Sequence, residues 1–192
     1  MAYSAFGFKD ADAKPGDAPV RVLCKASEIL GLGDAVVLAG DADKIGVRGK
    51  TVPTATRGAA TGALFGYIQS FDIAGVSGTP DYTKRHKAAA DTMYANVVPF
   101  NAHREYLIRA DGVLATTNVG NNCLLATIAN ADTSTGMSTM EVSASSMATS
   151  QTAYQMTLLG VLEDGSNALT DAKPVVRVKI NSIQAFPGFG GV

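Results

Sequence analysis

The chain has 192 residues, 46% of them hydrophobic, 17% charged and 7% aromatic, with 16 Lys plus Arg against 17 Asp plus Glu and a formal net charge of −1. That length can bury a sizeable core in one domain or two small ones, and the apolar fraction excludes wholesale disorder. A charged fraction below the usual ~25%, with no basic excess, argues against nucleic-acid binding and leaves a surface weakly protected against self-association.

Residues 1–18 read as an N-terminal arm, without the basic-then-apolar pattern of a secretory signal. The arm carries Tyr3, Phe6 and Phe8, and residues near the other end carry Phe186 and Phe189 among glycines, so four of the seven Phe lie close to the ends. Chain ends are normally polar, so aromatics in such a frame are expected to dock, either on the protein's own core or on a neighbour. Residues 19–75 read as a small β domain. Val20-Arg21-Val22-Leu23-Cys24-Lys25 alternates apolar and polar, Gly31-Leu32-Gly33-Asp34 marks a turn, and Val36-Val37-Leu38-Ala39 is a strand-sized apolar run. Residues 76–92 form a linker and basic loop with Lys84, Arg85 and Lys87, in which 82–92 has enough Ala for about two helical turns.

Residues 93–192 read as a larger β unit. Strands are expected over 94–100, 106–109, 124–128, 154–162 and 176–181, separated by Asn, Asp and Gly clusters. The last is the clearest: Val176, Val178 and Ile180 share one face, while Arg177, Lys179 and Asn181 share the other. Residues 145–151 could form a helical turn or a loop. From 110 to 172 there is no Lys or Arg. That stretch reads either as an ordinary neutral sandwich beside a solvated basic loop or as an uncharged face packed against other subunits. The pattern as a whole predicts an all-β fold, with a β-sandwich or jelly-roll-like C-terminal domain and a smaller N-terminal β-barrel-like unit.

A search for chemistry returns no catalytic, cofactor-binding or metal-binding set. His86 sits among lysines, and His103 lacks the second histidine of an HExxH pair. Gly49-Lys50-Thr51 ends like a phosphate loop, but Lys44 stands where its first glycine belongs. Gly31-Leu32-Gly33 starts like a dinucleotide fingerprint, but Val36 replaces the third glycine. The Asp10/Asp12 and Asp41/Asp43 pairs lack the further ligands of a calcium loop. Cys24 and Cys123 have no CxxC partner and are expected to be buried free thiols in a reducing cytoplasm. No apolar run is long enough for a membrane helix.

One resemblance rests on the order of motifs. Thr117-Asn118-Val119-Gly120 leads to Leu124, residues 145–151 follow, and then Tyr154-Gln155-Met156-Thr157-Leu158-Leu159-Gly160-Val161 precedes Asp164-Gly165-Ser166-Asn167. Val175-Val176-Arg177-Val178-Lys179-Ile180-Asn181-Ser182-Ile183-Gln184-Ala185-Phe186 closes the series. This resembles the capsid cement, or head decoration, proteins of tailed bacteriophages, with 93–109 similar to the preceding strand pair and 33–71 similar to small β modules of phage structural proteins. The resemblance implies a non-enzymatic virion protein, assembled in the host cytoplasm as a homotrimer. It would bind the outside of an icosahedral head and bridge major capsid subunits, with no direct contact to nucleic acid or membrane. The partner-contact residues expected on this reading are Tyr3, Phe6, Phe8, Lys84, Arg85, Lys87, Phe186 and Phe189. Another phage component, such as a head-fibre base or a tail protein, would suit the same features. A β-sandwich module for a receptor or a carbohydrate would need aromatics on a rigid exposed loop.

Overall fold

The computed structural model describes residues 6–11, 18–25, 27–43, 52–72, 85–126, 130–149, 154–162 and 164–184, with strand backbone alone described over 40–43. The fold is all-β. Ten strands run in the order β1 (Lys9–Asp10), β2 (Val20–Cys24), β3 (Ala35–Asp43), β4 (Val52–Arg57), β5 (Gly66–Phe71), β6 (Met93–Pro99), β7 (Tyr106–Arg109), β8 (Asn122–Cys123), β9 (Met156–Val161) and β10 (Val175–Ile180). Five of them close a barrel in the order β2-β4-β3-β5-β6, and the other five form an antiparallel sheet, β1-β7-β10-β9-β8. Within the barrel only β2 and β4 run parallel, pairing Leu23 with Thr54 and Cys24 with Ala55.

The alternation in β10 is realised as read. Val176, Val178 and Ile180 are buried while Arg177 and Lys179 stay partly exposed, because one face meets the core and the other meets water. The turn leading into β10 is fastened by Asn167, whose Nδ2 donates to the carbonyls of Leu162 and Val175 at 2.9 and 2.8 Å, while its Oδ1 accepts the Val175 N–H at 2.9 Å. This Asn therefore does the work of a backbone turn.

The barrel and the sheet share one core. On β6, Ala95 and Val97 point into the barrel, whereas Val98 and the following Phe100 point out of it toward the sheet. On β3, Val36 and Leu38 point inward while Ala35 and Val37 face the sheet; on β5, Ile68 points inward and Tyr67 outward. One wall of the barrel is thus apolar on both sides, and its outer side packs on Tyr106, Ile108, Met156, Leu158, Val176 and Val178 of the sheet. At the junction the Phe8 and Phe100 rings meet edge to face at 4.9 Å, and Phe100 meets Tyr106 at 5.0 Å.

The strand pairing runs across the expected unit boundaries, and one expectation is corrected. A division at residue 93 does not match the strand pairing, because β6 closes the barrel against β2 and β5 rather than opening the C-terminal unit. The N-terminal segment belongs to the C-terminal sheet, where β1 pairs with β7. Residues 85–92 are not helical: Lys87 and Leu30 exchange backbone hydrogen bonds at 2.8 and 3.0 Å, which requires extended chain. Of the expected linker and basic loop over 76–92, residues 76–84 lie outside the described residues, and the described part of 145–151 contributes only to a single 3-10 turn, Ala144–Ser146.

Candidate partner-contact surfaces

Of the eight residues expected to touch partners, Tyr3, Lys84, Phe186 and Phe189 lie outside the described residues. The structure separates the other four. Phe8 is 2% exposed and sits in the shared core, so it anchors its own segment to its own chain. Phe6 is half-buried at the edge of an open groove of about 450 Å³, lined also by Phe8, Leu32, Tyr67, Gln69 and Met137. Arg85 is exposed. Lys87 is fully buried: its Nζ donates to the carbonyls of Glu28 at 2.7 Å and Ala88 at 3.1 Å. Burial lowers the Lys87 pKa. Lys87 is therefore a structural cation that ties the 85–91 segment to the barrel, and the basic loop presents less charge than its sequence suggests.

The Phe6-Gly7-Phe8 segment crosses the turn ahead of β3 at very close range. A Cβ on Gly7 would stand 2.3 Å from the Gly33 carbonyl oxygen and 2.4 Å from Ser138 Cβ, and a Cβ on Gly33 would stand 2.1 Å from the Phe6 carbonyl oxygen. Both glycines have positive φ, 66° and 87°. Only residues without a side chain allow this crossing. The Phe8 N–H then donates to the Gly33 carbonyl at 2.8 Å, and β1 begins at the next residue, Lys9, so the crossing joins barrel to sheet.

Beneath the crossing lies a group that the sequence did not single out. Asp34 is fully buried; its Oδ1 accepts the Ser138 hydroxyl and its Oδ2 accepts the Gly31 N–H at 2.8 Å. Burial raises its pKa to about 6, against the opposing effects of those two donors and of the Arg57 charge. Two further buried polar groups join distant segments. Gln155 donates to the Ala59 and Gly62 carbonyls at 2.9 and 3.0 Å and accepts the Leu125 N–H at 3.2 Å. Glu141 accepts from Arg109 Nε at 2.6 Å and from Lys173 Nζ at 3.2 Å. Each satisfies backbone or charge that would otherwise be stranded in the core.

Cys24 lies in the barrel core and Cys123 in the shared core, both as free thiols, and burial raises each pKa to about 12. Among the described residues no group of three His, Cys, Asp or Glu could hold a metal ion, and no helix is long and apolar enough to cross a membrane. His103 is exposed, and its backbone N–H is held by the Asn101 side chain in a turn.

The stretch without Lys or Arg does not form one face. Much of it is core: Cys123, Leu125, Met140, Val142, Met156 and Leu158 are all buried. Its longest exposed runs are the 111–120 and 164–172 loops, which the Leu114 N–H joins by donating to the Leu169 carbonyl at 2.8 Å, and a shorter exposed turn lies at 132–135. Val113 and Val119, 59% and 43% exposed, both stand on the first of these loops. Comparisons of the chain with protein-family models, with curated proteins and with solved structures return no match in any of the three.

Proposed function

We propose that the chain is a structural component of a virion, a capsid cement protein that binds the outside of an icosahedral head as a trimer and bridges major capsid subunits. The observation that carries this reading is the ordered series of motifs over 117–186, most of which falls on consecutive elements of one antiparallel sheet: β8, β9, the Asn167 turn and β10. Two physical features support it. A barrel and a sheet fused through one core make a rigid body, which a bridge between subunits under load requires. An exposed rim over 111–120 and 164–172 carries Asp111, Asp164 and Asp171 and no Lys or Arg, which suits it to a partner surface that supplies the cations. Three contacts made by one trimer would add through effective concentration into firm attachment.

Two measurements test the proposal. Light scattering of the purified chain should give a mass three times 19.8 kDa, and a monomeric mass at micromolar concentration would count against the trimer. Shells assembled from the major capsid protein of the same virus should, after mixing with it, show added density on their outer surface by electron microscopy. Bare shells at saturating concentration would overturn the proposed role.

A further inference from the structure

Three segments far apart in sequence meet around the Asp34 carboxyl: the Phe6-Gly7-Phe8 crossing, the 31–34 turn and the 136–138 segment. The contact between the last two is a parallel bridge, in which the Leu32 N–H donates to the Gly136 carbonyl at 2.9 Å and the Ser138 N–H to the Leu32 carbonyl at 2.8 Å. Asp34 stands inside this bridge and holds both sides, one oxygen on Ser138 and the other on Gly31. Ser138 Oγ also accepts the Met140 N–H at 3.1 Å, so the serine hydroxyl already has both roles assigned. Above them, Gly7 packs against Gly33 and Ser138 so closely that neither neighbour can shift without moving it.

A carboxylate in this position is incompletely served. Among the described residues it has two donors where an ionised carboxylate has about four acceptor sites, and no cation lies within ion-pair distance of it. The charged and titratable groups facing it are Arg57 of β4, Glu28 of the preceding turn and the Cys24 thiol of β2. Arg57 is itself committed to the Ile29 carbonyl and, at 3.1 Å, to Asn130, and Glu28 adds a like charge. Lys87, the other buried cation nearby, is spent on carbonyls. From the crossing segment, Lys9 and Asp10 run on into β1, where Asp10 accepts the Tyr67 hydroxyl at 3.2 Å.

We propose that Asp34 is a proton-operated latch: the 6–8 and 136–138 segments stay clamped to the 31–34 turn while its carboxyl is protonated, and part from it more readily once it is a carboxylate. Opening the clasp admits water to the carboxyl, and hydration favours its charged form, so ionisation and opening promote one another. Closing it removes that water and favours the acid. With Asp34 at about 6 when closed and about 3.8 when hydrated, clamping is about tenfold stronger near pH 5 than near pH 8. This device does not depend on the proposed capsid role.

Amide hydrogen exchange of the full chain, corrected for the intrinsic pH dependence of exchange, tests it. Protection of the Phe8, Leu32 and Ser138 amides should be about tenfold greater near pH 5 than near pH 8 and at both values lower than that of the Val178 amide of β10, which opens only with the whole fold; protection equal to that of Val178 would report global unfolding and overturn the latch. In Asp34→Asn the side-chain amide can still accept from Gly31 and donate to Ser138 but carries no charge, so the ratio between the two pH values should fall to about one. An equal ratio in wild type and Asp34→Asn, or a flat wild-type profile, would overturn the latch. Should Asp34→Asn fail to fold, Ser138→Ala provides the second reading. Loss of the hydroxyl donor destabilises the closed carboxylate further and should widen the ratio beyond tenfold, and an unchanged or smaller ratio rejects the proposal.

Discussion

Truncating Phe8 distinguishes an anchor for a partner from a part of the protein's own core. The side chain is 2% exposed, meets Phe100 edge to face at 4.9 Å, and belongs to the cluster that joins barrel to sheet. Removing a buried phenyl ring typically costs about 3–5 kcal/mol, through lost transfer free energy and the cavity left behind. The neighbours here are rings of Phe100, Tyr67 and Tyr106 locked against both sheets, so little collapse into the void is available and the upper half of that range applies, about 4 kcal/mol. With no Trp and six Tyr in the chain, urea unfolding followed by tyrosine fluorescence and far-ultraviolet circular dichroism should show the Phe8→Ala midpoint moved by that amount at unchanged slope. Phe6→Ala, at the half-buried rim of the groove, should cost less than about 1 kcal/mol. A Phe8→Ala shift below about 1 kcal/mol would refute the reasoning, because it would mean that the ring does not hold the barrel to the sheet. One consequence is practical: deleting residues 1–12 removes Phe8 and β1 together, so loss of binding in such a truncation would report unfolding as readily as a lost contact.

Stability should also depend on pH through Asp34. Its folded pKa of about 6 lies above its ordinary 3.8, so between those values the native state binds the proton that the unfolded state has lost, and stability falls as pH rises. The stabilisation is lost as pH rises from below about 4 to above about 6, about 3 kcal/mol in all and about 2.4 kcal/mol between pH 4 and 7, and Asp34→Asn should remove that difference between urea-melt series at the two pH values. Gln155→Ala strands the Leu125 N–H and the carbonyls of Ala59 and Gly62 and should cost about 2–3 kcal/mol in the same melts; a neutral result would show that water replaces the amide. Both cysteines should resist a thiol reagent such as dithionitrobenzoate in the native protein and react fully in urea, since each is buried with its pKa raised to about 12; fast native labelling of either would contradict its burial.

The elements legible in the sequence are those with one wet face. β10 shows period-two alternation because Arg177 and Lys179 face solvent while Val176, Val178 and Ile180 face the core, and β2 follows the same rule less strictly. β6 hides its period, because a strand between the barrel interior and the shared core is apolar on both sides: Met93, Tyr94, Ala95, Val97 and Val98 are all buried. A strand buried on both faces shows no alternation to mark its sheet, and so the barrel's closing strand reads as the start of a second domain. Of the expected strand over 124–128, residues 127–128 lie outside the described residues and 124–126 form no strand. Leu125 is buried but makes only an isolated bridge to Val142, and the sheet edge is taken by Asn122–Cys123 instead.

The candidate contacts were harder to sort, since local composition does not say which surface accepts a side chain. Phe6 and Phe8 share one glycine-rich frame, yet the Gly7–Gly33 crossing sends Phe8 inward and leaves Phe6 at a rim, and that crossing depends on a turn well downstream. Lys87 looked like one more cation in a basic run. Its burial follows from carbonyls of Glu28 and Ala88 that converge only once residues 85–91 lie beside the barrel. Asp34 looked like a turn residue at the mouth of a strand, and nothing near it in sequence announces Ser138.

The shortage of charge takes on a different meaning once the stretch from 110 to 172 is divided by burial. In its core portion, around Met140, Val142, Met156 and Leu158, the absence of Lys and Arg follows from desolvation and would hold for any folded protein. On the 111–120 and 164–172 loops that reason does not apply, since exposed positions solvate cations freely. The outer face of β10 makes the contrast, carrying Arg177 and Lys179 on the same sheet in a comparable setting. The one-sided charge of the two joined loops, which carry Asp111, Asp164 and Asp171 and no Lys or Arg, with Val113 and Val119 standing out from one of them, is therefore the part that folding does not demand. Under the proposed function it is this rim, rather than the whole stretch without Lys or Arg or the aromatic arm, that fits a surface covered by another subunit.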